Sequence, residues 1–201
     1  MKGTEYLTKE AVLKKGREAI GIPLKDIDKK GRLATGKGAV GTVIEESWFG
    51  YTPNSESEPD FPKAGVELKV TPYVRGRGGI RAKERLVCNI INYMEEYDKT
   101  FSTSAFWHKC NTMLLMSYEH LENKPKGDFH IDEAVLFSFP EEDLVIIERD
   151  WQLIMDKVVD ELTRYPRVIR CISQLVPKEQ TLPVYGLSLF LMSLPSSVLI
   201  R

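Results

Sequence analysis

Between residues 144 and 162 the apolar side chains Leu144, Ile147, Trp151, Ile154, Met155, Val158 and Leu162 recur at three- and four-residue intervals. That spacing gathers them on one face of a helix, and Pro140 with Glu141, Glu142 and Asp143 suits its N-terminal end, where the helix dipole favours negative charge. A first helix is expected from a Thr8 cap through about Ile20, with Glu10 in its first turn, Ala11, Val12, Ala19 and Ile20 as its apolar positions, and Gly21 as its stop. Another begins near Val40, carries Val43, Ile44 and Trp48 on one side with Glu45 and Glu46 in the same stretch, and ends at Gly50. The segment Lys25 to Gly38 reads as a polar loop, and Tyr51 to Pro59 as turn chemistry.

Strand patterning is concentrated in the middle of the chain. Gly65 to Thr71, Thr112 to Glu119 and Glu133 to Phe139 are β-prone runs, and the glycine-arginine stretch Arg75-Gly76-Arg77-Gly78-Gly79 reads as the connection between two strands. Ser104 to Lys109 reads as a short helix. Arg85 to Tyr93, with Val87, Ile90 and Ile91, is assigned as a strand, although its periodicity alone does not separate strand from helix. The pattern is that of an α/β chain with one principal core.

Composition narrows the function classes. With 201 residues and 42% apolar content the chain can bury one good core. Its 28 basic residues against 29 acidic ones leave no overall attraction to a polyanion, so any positive surface is local. Cys88, Cys110 and Cys171 are odd in number and widely spaced, which argues against a disulfide framework and a zinc site and for a reducing cytoplasm. The N-terminus opens without an apolar signal region. Gly36-Lys37-Gly38-Ala39-Val40-Gly41 satisfies G-x-G-x-x-G, yet no strand precedes it, so a dinucleotide site is not expected. The apolar stretch Val184 to Ile200 is interrupted by Gly186, Pro195 and serines and is too short to span a bilayer.

The chemistry-bearing candidate is Pro59-Asp60 followed by Glu67 and Lys69, a P-D-x6-E-x-K arrangement. Side chains alternate faces along a strand, so Glu67 and Lys69 point the same way and Leu68 points into the core. Asp60, flanked by proline in an extended or turning segment, can swing toward Glu67. Magnesium is small and hard, and is held by one or two carboxylates plus waters and a substrate phosphate. Asp60 and Glu67 suit that role, and Lys69 could orient a nucleophile or offset charge building on a phosphate. Because Asp, Glu and Lys are common, the motif taken alone favours the plainer reading, a surface strand whose Glu and Lys face solvent.

Several further words occur in order: Gly41-Thr42-Val43-Ile44-Glu45-Glu46-Ser47-Trp48-Phe49-Gly50, Gly65-Val66-Glu67-Leu68-Lys69, Lys83-Glu84-Arg85-Leu86-Val87, Asn89-Ile90-Ile91-Asn92-Tyr93, His108-Lys109 and Asp150-Trp151. On these, residues 5 to 162 resemble the MutH-related DNA endonucleases, and within them the GATC-cutting type II restriction enzymes (Sau-type) more than the mismatch-repair enzyme. The resemblance implies a restriction-endonuclease-like (PD-(D/E)xK) core, a mixed β-sheet flanked by helices. It implies Mg2+ as cofactor and double-stranded DNA as partner, with a MutL-type protein as partner only if the chain is a repair nickase. It places the metal-site acids at Asp60, Glu67 and Glu46, with Lys69 and Lys109 completing the catalytic set. Glu46 is assigned because it lies two residues before the tryptophan and fourteen before Asp60. Lys37, Arg75, Arg77 and Lys83 are candidate phosphate contacts, with an ordinary exposed loop cation as the other reading of each, and His108 is either structural or a phosphate contact.

The resemblance stops near Arg164. Suitable codons for Tyr165 to Arg201, read one base back, spell a family-like continuation containing Thr-Lys-Gly-Ala-Asn. The expectation is therefore an incomplete endonuclease domain over residues 1–163 and an out-of-frame, poorly ordered tail over 164–201, which would leave a DNA-binding domain deficient in cleavage as the alternative outcome. The gene sequence decides this directly.

Overall fold

A computed structural model describes residues 6–34, 36, 38–53 and 57–164. The segments before the sheet are α1 (Lys9–Arg17), α2 (Leu24–Ile27), a 3-10 turn (Arg32–Ala34), α3 (Ala39–Val43) and a π-helical turn (Ile44–Trp48) that continues α3 directly. Then follow β1 (Glu67–Gly76), β2 (Gly79–Ala82), α4 (Tyr93–Glu96), a 3-10 turn (Phe101–Thr103), α5 (Ala105–Cys110), β3 (Met113–Glu119), a 3-10 turn (Lys126–Asp128), β4 (Ile131–Phe137) and the long α6 (Glu141–Arg164). The sheet order is β2-β1-β3-β4, with β1 and β3 parallel and both outer pairings antiparallel. The expected mixed sheet flanked by helices is present.

Side-chain alternation divides the core between the two faces of this sheet. Leu68, Val70, Leu114, Met116, Ala134 and Leu136 face the layer built by α1, α2, α3 and the π turn, whose Val12, Leu24, Val43 and Ile44 are buried against them. Met113, Leu115 and Phe137 face the opposite layer, where Phe106 and Cys110 of α5 pack with Ile147, Trp151 and Met155 of α6. Those three residues of α6 belong to the apolar stripe expected from the sequence, and its acidic first turn is in place.

Local chemistry sets the element boundaries. Thr8 Oγ1 accepts from the Ala11 amide at 3.2 Å and starts α1, while Gly21 takes φ +79°, which favours glycine, as the chain turns away. Ser104 Oγ accepts from the Trp107 amide at 3.1 Å and starts α5.

Three expectations are corrected. The Lys25–Gly38 loop is partly ordered: Leu24 and Ile27 of α2 are buried, and the Asp28 carboxylate accepts from the amides of Lys30, Arg32 and Leu33, winding the 3-10 turn. Residues 85–92 form no strand; Cys88 and Ile91 insert into the second core layer while Val87 and Ile90 are exposed, and only β1 pairs with β2 among the described residues. The last strand starts at Ile131, two residues before its expected beginning, and ends at Phe137. No helix among the described residues is long and apolar enough to cross a membrane. The stretch Val184 to Ile200 and the rest of the expected tail beyond Arg164 lie outside the described residues.

Candidate active site

The loop between Asp60 and Glu67 is closed by its own backbone. The Phe61 amide donates to the Val66 carbonyl at 2.9 Å, the Val66 amide returns to the Phe61 carbonyl at 3.3 Å, and Gly65 supplies φ +63° at the corner. Phe61 is fully buried, and its ring is met edge-on by Phe49 at 4.9 Å, Tyr6 at 5.3 Å and Tyr51 at 5.6 Å. Asp60 is thus anchored through its neighbour. Its amide donates to Glu67 Oε2 at 3.3 Å, and its Oδ2 accepts from the Leu68 amide at 3.0 Å. The two acids of the motif are locked to one another across the turn.

Glu67 and Lys69 occupy the β1 face that looks toward α5, as alternation requires, while Leu68 is buried in the opposite layer. Lys69 Nζ lies 2.9 Å from Glu67 Oε1, and Lys109 Nζ, from the last turn of α5, lies 3.7 Å from the same oxygen. Glu67 is 3% exposed. Burial raises its pKa above the ordinary carboxylate value, and Asp60 adds to this, although Lys69 and Lys109 pull the other way. Burial works against the charge of Lys69, but the Glu67 carboxylate beside it outweighs this, so that ammonium is held above its usual range. Two thiols, Cys110 and Cys88, lie nearby, and burial pushes both up, Cys88 to about 11. They are therefore neutral, and Cys110 Sγ contacts the Cys88 carbonyl at 3.2 Å.

Glu46, the expected helix acid, is not brought to this cluster. Its carboxylate accepts from Arg32 Nε at 2.9 Å and Arg32 Nη2 at 3.2 Å, and Lys30 Nζ lies 3.4 Å away. These cations hold its pKa below the ordinary value, Arg32 most strongly. Its neighbour Glu45, which sequence reasoning passed over, is the helix glutamate that feels the site. Burial first, then the negative charges of Asp60 and Glu67, push the Glu45 carboxyl up to about 7. Tyr51 was also missed. Its hydroxyl is buried without a geometrically sound hydrogen-bond partner, and burial together with Asp60, Glu45 and Glu67 raises its pKa strongly. The available signal was an aromatic residue three positions past Trp48, where the helical turn that carries the Glu45–Glu46 pair ends.

The proposed phosphate contacts are dispersed. Arg75 lies on β1 with its guanidinium at 3.1 Å from Glu119 Oε2 and 3.3 Å from the Tyr73 hydroxyl. Arg77 is exposed in the β1–β2 turn, Lys83 follows β2 with Nζ 4.0 Å from Glu84, and His108 is exposed on α5 next to Lys109. Lys37 lies outside the described residues.

The donor set suits a hard divalent cation better than any soft metal. Among the described residues no three His, Cys, Asp or Glu side chains converge tightly enough to enclose an ion by themselves. Magnesium does not need that, since waters and substrate fill most of its coordination sphere. The buried Tyr51 hydroxyl makes no well-formed hydrogen bond, and Asp60 is the carboxylate it is placed to serve.

Comparison with known proteins identifies relatives of this chain. The family described as DNA mismatch repair enzyme MutH matches residues 49–150. The chain is 40% identical over 152 residues to the type II restriction enzyme Sau3AI of Staphylococcus aureus, covering 74% of this chain and 31% of that protein. It is 31% identical over 124 residues to the DNA mismatch repair protein MutH of Shewanella woodyi, covering 62% of this chain and 52% of that protein. A MutH of Serratia proteamaculans is 26% identical over 156 residues, 75% of this chain and 67% of its own length. The chain therefore spans about a third of the first relative and about half of the second.

Proposed function

The chain belongs to the family of the DNA mismatch repair enzyme MutH, and from that premise we propose that it is a magnesium-dependent DNA endonuclease that hydrolyses backbone phosphodiester bonds at GATC sites, as a type II restriction enzyme. The observation that carries the reading is the meeting of Lys69 and Lys109 on one oxygen of Glu67, 2.9 and 3.7 Å away, with Asp60 tied to the other oxygen. A structural ion pair needs one cation. Two ammonium groups and two acids in a half-buried corner suit a site that must hold a cation and meet a phosphate.

Asp60 and Glu67 would hold Mg2+, which when bound polarises the scissile phosphate and makes water a better nucleophile. Glu67 fixes the ammonium of Lys69 at the edge of the site, where its N–H groups can orient an attacking water or donate to a phosphate oxygen as negative charge grows. Lys109 enters from α5 and provides a second donor on the same side, so that phosphate charge is met from two elements. Tyr51 offers its hydroxyl to a water beside Asp60. The reading also places the chain in the cytoplasm with its DNA.

The test is cleavage of a supercoiled plasmid carrying GATC sites, with and without Mg2+. Linear or nicked product that requires Mg2+ is expected, with Asp60→Ala and Lys69→Ala inactive but still folded by circular dichroism. Unchanged cutting by either variant would defeat the site assignment. A plasmid left intact unless a MutL-type protein is added would instead identify a repair nickase.

A further inference from the structure

The end of the sheet where β1 and β3 begin carries a second polar group, on the side away from Lys69 and Lys109. Thr112 immediately precedes Met113, the partner of Glu67 in the β1–β3 ladder, and its carbonyl accepts from the Glu67 amide at 3.0 Å. Its side chain meets the α1 layer, where Lys9 Nζ, from the first turn of α1, donates to Thr112 Oγ1 at 3.0 Å. Ser138 Oγ, just past the end of β4, lies 3.4 Å from the same oxygen. Thr112 is buried, whereas Lys9 is exposed. Three elements distant in sequence thus converge one strand away from the metal-site acids.

The hydrogens of this group do not balance. An ammonium carries three donors and no acceptor, so Lys9 spends one on Thr112 and keeps two. Whichever hydroxyl donates within the Thr112–Ser138 pair, one hydroxyl hydrogen is left over. Among the described residues Lys9 makes no ion pair with a carboxylate, and Glu10, next in the chain, projects about 100° round the helix from it. Surplus donors and an uncompensated positive charge are completed by an anion rich in acceptor oxygens. Arg75 and Lys83, by contrast, already meet Glu119 and Glu84, and Arg75 sits toward the far end of β1, roughly 25 Å along the strand from Glu67.

We propose that Lys9, Thr112 and Ser138 form a subsite for a DNA backbone phosphodiester next to the scissile one, so that the strand being cut crosses the end of the sheet between Lys9 on one side and Lys69 with Lys109 on the other. The proposal rests on the endonuclease reading and names the path of its substrate backbone. Adjacent strands lie about 4.8 Å apart and phosphates of one DNA strand recur about every 3.4 Å of helix axis, so a phosphate at Asp60 and Glu67 brings a neighbour to the Lys9 side.

The experiment measures binding of a fluorescent GATC duplex to the full 201-residue chain by anisotropy, with Ca2+ in place of Mg2+, between about 50 and 200 mM salt. Lys9→Ala is expected to weaken binding by about 10-fold and to lower the slope of log Kd against log salt by about 1, while Lys9→Arg keeps the wild-type slope. Thr112→Val should weaken binding with the slope unchanged, and Thr112→Ser should restore it. A neutral methylphosphonate placed at one of the two phosphates flanking the scissile one should weaken the wild type and cost Lys9→Ala nothing further. Wild-type Kd and slope in Lys9→Ala, or a methylphosphonate penalty undiminished by Lys9→Ala at both flanking positions, overturns the proposal and leaves the endonuclease reading in place. A wild-type chain that binds no duplex at any salt overturns both.

Discussion

Replacing Glu45 by glutamine should make the metal-free protein more stable at alkaline pH. In the folded chain the Glu45 carboxyl titrates at about 7 instead of 4.5, because burial and the charges of Asp60 and Glu67 disfavour its ionised form. The unfolded chain has no such penalty. As pH rises from about 4.5, the unfolded state ionises Glu45 and is stabilised, while the folded state keeps the proton until about 7. A carboxyl with its folded pKa raised thus contributes stability that is fully present below the unfolded pKa and is lost as pH rises through the folded one. At about 1.36 kcal/mol per pH unit the full loss is about 3 kcal/mol, and solvent screening of a half-buried group reduces it to roughly 2 kcal/mol. For a chain of this size that is a difference in Tm of about 4–8 °C. A glutamine side chain cannot ionise, so the stability advantage of Glu45→Gln over wild type should grow between pH 4.5 and 7.5 and then level off. The assay is thermal or urea unfolding of both proteins in EDTA across pH 4.5–8.5. Profiles that stay parallel throughout would refute the argument that Glu45 lies in the field of Asp60 and Glu67. Added Mg2+ should reverse the ranking above pH 7 by stabilising wild type preferentially, since a ligand held by the folded state alone shifts the equilibrium toward it.

Other substitutions probe the scaffold beneath the site. Phe61→Ala empties the centre of the Tyr6, Phe49 and Tyr51 ring cluster and should cost about 3–5 kcal/mol in urea unfolding; a loss under about 1 kcal/mol would mean that this loop is not anchored by its aromatic side chain. Gly65→Ala meets no atom within 4 Å, so its cost of roughly 1–2 kcal/mol should come from the backbone at φ +63° alone. An unchanged unfolding midpoint would show that the Asp60–Glu67 turn tolerates another conformation. Tyr51→Phe removes a buried hydroxyl without a sound partner and should leave stability equal or up to about 1 kcal/mol higher, while kcat for plasmid cleavage falls; equal kcat would remove Tyr51 from the site.

The strands and long helix were legible because their burial follows a strict period. β3 alternates between the two core layers, with Leu114 and Met116 on one side and Met113 and Leu115 on the other, and α6 buries Ile147, Trp151 and Met155 at helical spacing. The run around Ile90 misled for a physical reason. Its apolar residues satisfy strand propensity, but burial there falls on Cys88 and Ile91, and the chain reaches the core without joining an edge of the sheet. Propensity reports a preference for extended backbone; it does not supply a partner strand.

The site was legible wherever chain geometry is fixed by short-range rules and not elsewhere. Alternation along β1 put Glu67 and Lys69 on one face, and the proline-flanked turn returned Asp60 to Glu67. Counting along the helix assigned Glu46, since spacing measured back from Asp60 or from Trp48 assumes that every residue advances the helix by the same angle. A π turn breaks that assumption at Ile44–Trp48, the stretch that carries both glutamates. Its hydrogen bond from Phe49 to Ile44 leaves no composition signal, because Ile44 to Trp48 is as helix-compatible in one form as in the other. The surroundings of Glu46 are tertiary: its carboxylate meets the cations of Arg32 and Lys30, which lie in a polar stretch without helical periodicity. The engagement of Glu46 is a contact between residues fourteen apart in the chain, Arg32 and Glu46, and no motif confined to Asp60, Glu67 and Lys69 carries it.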